Sequence, residues 1–599
     1  MKKIIKTIFV SLFLFQIGIS QTTVQFILTD IPNLKGNKVG IRGNIYPLDW
    51  NKSIQLKENE SGYSAVVKFP EHVSEIEFKF VLFEDDSNPK WEETGNRSEI
   101  LGGKTKVISR HEWNVEQVID IGNLPLIQPE ELLNDFRLIE QMILDVHPGT
   151  YRYNDEESIK KNLKELKDTF QEPLSYGEAY LAMAKLTAAI KCDHTKPGFN
   201  NQNKIINSVI HGQPDKLPFT FRWFENRMFV MYDASSESEL ERGDEVLSIN
   251  GVNVSEIQGS MVPYIAADGD TDNNRIRKME VDGYDFRYNA FDVFFPLLYP
   301  FDDKVLELEI VKKAGHSSKK ITVTALTRDE RAKILTSRFL EFPENRDELW
   351  NFRITEDNVG ILEANSFGLM GWKALSIDYK AFLQDVFEEL SEKNIQDLII
   401  DIRENTGGND EMSVELFSYL DIKESIVKEI YREGRTRYLN FPEPLKNNTD
   451  TWGDNPWYFN FDERDKEGIY YTFKQNPENK VYLKQKENIY KGNVYLLTSS
   501  QNTSLAYYTA LNFKRQGLGT SIGQETGGNM RGINGGQILF LRLPSSGIEI
   551  DFSIMGGFVY GNQPNEGVKP DIEVTPTLQQ LVDGEDVEMN VALEIIRSK

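Results

Sequence analysis

From residue 22 to about 115, apolar and polar positions alternate with a period of two. Phe26-Ile27-Leu28, Val39-Gly40-Ile41, Tyr63 to Phe69 and Ile76 to Phe83 are β-rich runs. Turn clusters such as Asp85-Asp86-Ser87-Asn88-Pro89 separate them, and the pattern predicts a small antiparallel β-sandwich over 22–118. Between 126 and 200 the period lengthens. Glu130 to Val146, Glu156 to Phe170 and Tyr176 to Ile190 carry apolar residues at helical spacing. Strand patterns return at Phe219 to Val254 and Val305 to Leu326, around an aromatic-rich insert from Gln258 to Tyr299, and mark a further domain over 215–327. From 345 to 599 short apolar strands alternate with helices: Val359 to Glu363, Leu375 to Glu392, Leu398 to Ile402, Val494 to Thr498 and Ser504 to Arg515. That order is the signature of an α/β core. Residues 430–490, with Trp452 and Trp457, read as a long polar and aromatic excursion.

The first twenty residues stand apart. Lys2, Lys3 and Lys6 precede an apolar run from Ile8 to Phe15, and small residues follow near Gly18 and Ser20. This is the order of a secretory signal peptide, too short in its apolar part to span a bilayer. No cysteine lies near the cut, so a lipoprotein anchor is excluded. The expectation is an exported protein, periplasmic or secreted, with no membrane span once the signal is removed. Charge narrows the partners: a net charge of −25 gives no general attraction to nucleic acid or anionic lipid. Cys192 is the single cysteine, which excludes an internal disulfide and a cysteine-based zinc cluster. Six histidines (His72, His111, His147, His194, His211, His316) leave few candidates for imidazole chemistry.

Within the sandwich, Gly43-Asn44, Leu48-Asp49-Trp50, Phe78-Lys79-Phe80, Trp91-Glu92 and Asn96-Arg97 follow one another in an order that resembles the starch-binding modules of glucoamylase-type enzymes. The resemblance makes Trp50 and Trp91 the sugar-stacking indoles and Lys79 a polar partner, with an α-glucan or other polysaccharide as ligand. An indole suits the C–H face of a sugar ring, and hydroxyls need fixed donors. The plainer reading places Trp91 and Phe78 in the sandwich core.

In the α/β region, four pieces carry chemistry. Asp401-Ile-Arg403-Glu-Asn405-Thr-Gly407-Gly408 follows a buried strand. Leu497-Thr-Ser499-Ser500-Gln-Asn502-Thr503-Ser504-Leu505 joins another strand to a helix, where N–H groups favour negative charge. Gly523-Gln-Glu525-Thr526-Gly527-Gly528 and Gly567-Val-Lys-Pro570-Asp571 complete the set. On its own, Ser504 reads as an N-cap. Together the four pieces resemble the tail-specific, C-terminal-processing or tricorn-core serine peptidases, over roughly 130–599. Leu240-Glu-Arg-Gly243-Asp244 to Ile249-Asn250-Gly251 resembles the PDZ-like part of such enzymes. The resemblance implies a PDZ-like domain with an insertion at 215–327, a nucleophile at Ser504, an oxyanion hole from the backbone N–H of Gly407 or Gly408 and of Leu505, and no metal or cofactor.

Serine needs a base. One branch of the family has a lysine after the Gly-x-x-Thr-x-Gly turn, and here that position is Asn529. The other branch uses a histidine, which falls on His194 in Lys191-Cys192-Asp193-His194-Thr195. His147, before a proline turn, is the rival and reads as structural. Glu566 is the glutamate nearest the C-terminal motif and the candidate to orient the imidazole, with Asp193, Thr195 and Asp571 as competitors. Tyr507 stands where the tail-processing branch has glutamate. The expected activity is hydrolysis of peptide bonds in a peptide or protein substrate. The alternatives are a degenerate core of the same fold that binds peptide or glycan without cutting, and polysaccharide hydrolysis, which would need facing carboxylates in a core of its own.

Overall fold

The computed structural model describes residues 21–599 except 32–33, 35, 61, 71–72, 74, 102–103, 116, 118, 200, 238, 282–288, 314, 316, 340–349, 369–377, 423–431, 452–463, 474–484 and 560. The signal segment 1–20, His72, His316, Trp452 and Trp457 lie outside the described residues. The chain divides into two compact units, Met1–Ile119 and Asp120–Lys599.

In the first unit the period-two runs pair as the pattern requires. Gln21–Thr29 lies between Gly62–Pro70, antiparallel, and Lys106–Glu112, parallel. A second sheet is built on Glu75–Phe83, flanked by Lys38–Gly43 and by the short strands Lys90–Trp91 and Arg97–Ile100. Inward residues such as Phe26, Val39, Phe69, Phe78 and Phe80 make one apolar core. Arg97 and Glu92, both buried, form an ion pair at 2.6 Å inside this unit.

The second unit opens with helices at Pro129–Gln141, Glu156–Thr169 and Tyr176–Ala189, close to their predicted spans. A single turn of π-helix, Met142–Val146, ends the first of them just before His147. Strands Phe219–Phe224, Arg227–Asp233, Glu245–Ile249, Val305–Val311 and Ser318–Thr324 form a sheet in that order. The aromatic-rich insert carries the helices Val254–Met261, Asp272–Lys278 and Ala290–Leu298. A near-continuous apolar run masked the helical period at Ala290–Leu298, where Phe291, Val293, Phe294 and Phe295 are all buried.

The α/β core is a six-stranded sheet ordered Trp350–Ile354, Val359–Ala364, Asp397–Asp401, Asn493–Thr498, Thr520–Gly523, Ile572–Glu573. The first pair is antiparallel and every later pair is parallel. Its central strands are near-continuous apolar runs because helices cover both faces. Tyr379–Glu392 and Ser504–Gln516 pack on one face, Val587–Arg597 on the other. A neighbouring sheet of mainly long antiparallel strands is built on Gly536–Arg542 and Glu549–Val559. The excursion after residue 430 partly joins it: Arg432–Thr436 pairs with Glu549–Val559, and Tyr470–Phe473 pairs with Arg432–Thr436. Parallel strands all point their C-terminal ends at one rim, so the motif-bearing turns after Asp401, Thr498 and Gly523 meet there.

Candidate functional site

The turn after Asp397–Asp401 is held by Asn405, which is fully buried. Its Nδ2 donates to Ala364 O at 2.7 Å and its Oδ1 accepts from Gly407 N at 2.8 Å. Gly407 and Gly408 then turn with φ of 122° and 141°, a region L side chains rarely adopt. Asn502, also fully buried, joins this turn to the next two. Its Nδ2 donates to Asn405 O at 3.0 Å, its Oδ1 accepts from Ser499 N at 2.8 Å, and its carbonyl accepts from Gly527 N and Gly528 N, both at 3.0 Å.

Ser504 is the first residue of its helix, not the N-cap; Thr503 takes that position, and its hydroxyl donates to Thr406 O at 3.1 Å. Ser504 has φ 49°, left-handed backbone that costs a non-glycine residue about 1–2 kcal/mol. Strain of this kind gathers at functional positions. Among the described residues Ser504 Oγ makes no hydrogen bond, whereas Ser499 Oγ is spent on Arg403 O.

Gly407 lies against the serine: a Cβ added to it would stand 2.6 Å from Ser504 Cβ and 2.9 Å from Leu505 N. The N–H of Gly407 is occupied by Asn405, which removes it from the candidate oxyanion donors. Gly408 and Leu505 keep theirs uncommitted among the described residues, and Leu505 is in the first helical turn.

His194 lies beyond the helix Tyr176–Ala189, in a turn where Thr195 N donates to Cys192 O at 3.1 Å. Gly535 packs on its ring; a Cβ there would meet Cε1 at 3.0 Å. Nδ1 is buried without a partner, and so is Asp268 Oδ2. A His194 ring nitrogen, an Asp268 oxygen and Cys192 Sγ all lie within 4.8 Å of one another, a donor set that could also hold a cation. Burial lowers His194 to about 4; Asp193 opposes that shift while Lys196 and Lys278 add to it. Burial, with Asp193 beside it, raises Asp268 to about 7.

No hydrogen bond joins His194 to Ser504 among the described residues. The insert ties their two loops together. Asp193 N donates to Asp268 Oδ1 at 3.2 Å, Thr271 Oγ1 lies 3.0 Å from Gly527 O, and Asn274 Nδ2 donates to Ser500 O at 2.7 Å.

In the first unit Trp50 and Trp91 stand together and partly exposed, ring centroids 6.1 Å apart at 51°. Phe78 is core. Lys79 faces Arg42 across the strand pair, and it is the Arg42 guanidinium that lies over Trp91, 5.4 Å from its centroid, while donating to Trp50 O at 2.9 Å.

Residues 358–574 match Peptidase family S41, and residues 21–109 match the Starch binding domain. The chain carries a family S41 serine-peptidase domain and a starch binding domain. No curated protein matches it. Among solved structures it is similar to mature CPAF complexed with lactacystin, at 14% identity, over 78% of this chain and 97% of that one, with a TM-score of 0.53. It also matches the photosystem II D1 C-terminal processing protease, at 14% identity over 79% of this chain and 99% of that one, with a TM-score of 0.32. At such identity the likeness to CPAF is one of fold.

Several S41-domain positions take up structural work. Asn529 is fully buried; its Nδ2 donates to Asn565 Oδ1 at 2.8 Å and its Oδ1 accepts from Arg531 N at 3.0 Å. Tyr507 is buried beneath Gly528, where a Cβ would meet its ring at 2.3 Å. His147 is fully buried, accepts from Gly149 N at Nδ1 and has Thr195 Oγ1 at 2.8 Å from Nε2; burial first, then Arg152 and Arg437, lower it to about 3. Glu566 pairs with Lys569 at 2.6 Å, and among the described residues it has no contact with His194. Asp193 is held by Lys278 and Lys196, and Asp571 Oδ2 accepts from Ser521 N at 3.0 Å. The acidic neighbour of His194 that sequence reasoning missed is Asp268; no motif marks it, because it lies in the insert.

Gly407→Ala should place a methyl against Ser504 Cβ and the Leu505 amide. We expect serine reactivity, read as the rate of labelling by a fluorophosphonate, to fall by at least about 10²-fold, the scale of losing an oxyanion donor.

Proposed function

We propose that the S41 domain hydrolyses peptide bonds, with Ser504 as nucleophile and His194 as general base. Ser504 Oγ attacks the scissile carbonyl and His194 takes its proton, then returns it to the leaving amine. The N–H groups of Gly408 and Leu505 receive the oxyanion. The observation that carries this reading is Ser504 itself: a strained, unbonded serine at the head of a helix, beside two uncommitted amides. His194 is neutral at pH 7, the form a general base starts from, and an ionised Asp268 beside it would restore the basicity that burial takes away.

Asp268 is, in this reading, the group that receives Nδ1–H and sets the ring, in place of Glu566. Closure over substrate brings the His194 ring to the serine, a movement of side chains that peptidase sites without ligand commonly need. The six-stranded sheet that begins at Phe219–Phe224 serves as a PDZ-like domain, supported by the motif at Leu240 to Gly251, and adds a peptide strand or gates access. Residues 1–20 direct export to the periplasm or beyond. The starch binding domain directs the enzyme to polysaccharide through Trp50, Trp91 and Arg42.

A fluorophosphonate probe is expected to label the protein, and labelling should vanish in Ser504→Ala and drop by about 10²-fold or more in His194→Ala. Persistent labelling of Ser504→Ala, or none of the wild type, would favour a core that binds peptide without cutting.

The pH profile of kcat/KM separates positioning from mere support. Activity needs an ionised Asp268, so its acid limb should lie near 7 in the wild type. In Asp268→Asn the limb should move down toward His194's value of about 4, with a plateau lower on the order of 10²-fold. An unmoved limb would remove Asp268 from the reading.

For the glycan role, joint Trp50→Ala and Trp91→Ala replacement should weaken binding to soluble starch by about tenfold or more in affinity electrophoresis, while the rate of fluorophosphonate labelling stays unchanged.

A further inference from the structure

We infer that Cys192, His194 and Asp268 form a site for a borderline-soft divalent cation of the zinc class, and that filling it switches the chemistry of Ser504 off. The switch rests on the peptidase reading above; the site does not.

The Cys192 sulfur, a ring nitrogen of His194 and a carboxylate oxygen of Asp268 lie within 4.8 Å of one another. Among the described residues no hydrogen bond joins the three side chains. His194 Nδ1 and Asp268 Oδ2 are both buried without a partner, and Asp268 as a whole is 1% exposed. Sulfur, imidazole and carboxylate are the ligand types of zinc, which takes them at about 2.0–2.3 Å. Donors at that radius stand roughly 3.3–3.8 Å apart in a tetrahedral shell, so small side-chain movements bring the three onto one ion and leave a fourth corner for water. A thiolate and an imidazole select the zinc class over magnesium and calcium, which take oxygen.

Two of the donors are already aimed by outer hydrogen bonds, as metal ligands commonly are. Asp193 N donates to Asp268 Oδ1 at 3.2 Å, which fixes the carboxylate and leaves Oδ2 free. The sulfur ends a relay. Gly149 N donates to His147 Nδ1 at 3.2 Å, so the His147 ring carries its proton on Nε2. That Nε2–H donates to Thr195 Oγ1 at 2.8 Å, and the Thr195 hydroxyl donates to Cys192 Sγ at 3.4 Å. A sulfur addressed by a donor in this way is set to accept, which is the state of a metal-bound thiolate. The thiol proton is released on binding, and thiolate and carboxylate together match the charge of a divalent ion. Of the cations that act on His194 and Asp268, Lys278 and Lys196 are paired with Asp193, and Arg152 is stacked on the Phe558 ring.

An ion on Nδ1 holds the ring in the tautomer whose remaining proton is on Nε2. Nε2 then has a proton to give and no lone pair to receive one, so it cannot take the proton of Ser504. The same ion draws Asp268 away from the ring. Serine and oxyanion amides are untouched, so removing the ion restores activity. Cys192 and Asp268 are buried while His194 is half-buried, which makes the imidazole the side from which an ion enters.

The test uses the full-length protein, treated with chelator and dialysed, with Co²⁺ as a spectroscopic probe. Cys192 is the single cysteine, so a cobalt–thiolate charge-transfer band can come from no other residue. Wild type should develop that band, saturating at one cobalt per chain, and Zn²⁺ should erase it by displacement. The band should vanish in Cys192→Ala, and Asp268→Asn should weaken cobalt binding on the order of 10²-fold. Calorimetry without metal establishes that both variants are folded. The rate of fluorophosphonate labelling reads the switch. Zinc should lower the wild-type rate about tenfold or more, chelator should restore it, and magnesium should not replace zinc. In Cys192→Ala the rate should be the same with and without zinc. No band in wild type, or cobalt binding unaffected by Asp268→Asn, overturns the site. A band with labelling that zinc does not slow, or equal slowing in Cys192→Ala, overturns the switch. Should metal-free wild type not label at all, the peptidase reading fails separately, and the cobalt band alone decides the site.

Discussion

A single buried amide holds three turns at the rim of the parallel sheet. Asn502 donates to the glycine turn through Asn405 O, accepts from Ser499 in its own turn, and offers its carbonyl to two amides of the third. Such a side chain in a dry interior has no water to fall back on, so its bonds fix the turns relative to one another. The strained φ of Ser504, the approach of Gly407 and the free amides of Gly408 and Leu505 all follow from turns locked in this way. A looser junction would let Ser504 relax into ordinary helix and turn its hydroxyl away.

The electrostatics around His194 have a similar logic. Burial removes its charge, Asp193 is engaged by two lysines, and Asp268 is left as the carboxylate whose own ionisation is held near neutrality. The usual order is thereby inverted, and the carboxylate holds its proton more tightly than the imidazole does. The same small region holds the guanidinium of Arg152, stacked on the Phe558 ring at 4.3 Å. Arg403, within the glycine turn itself, is saturated by Asp401, Asp586 and Glu588.

Much of this was legible from residue order. The sandwich strands alternate along part of their length, two of the three helices start at acidic or hydroxyl caps, Asp155 and Ser175, and the strand–turn–helix of Ser504 is marked by an apolar run that ends in polar residues. The insert was not legible as helix, since nearly every residue of Ala290–Leu298 is apolar and the run has no polar face to set the period. Glu566 drew attention through proximity to a motif, yet its carboxylate is occupied by Lys569 at the surface. Arg42 was passed over for Lys79 because neighbours across a sheet are not neighbours in sequence.

Local order, then, determined the elements and the strand–turn–helix that carries Ser504, for both depend on the period of apolar residues and on the few residues adjoining a turn. Only the tertiary structure decided which amides keep no partner among the described residues and which carboxylate of the insert lies beside the imidazole. Those are contacts between segments tens to hundreds of residues apart, and their energies depend on burial and distance, which spacing along a chain does not encode.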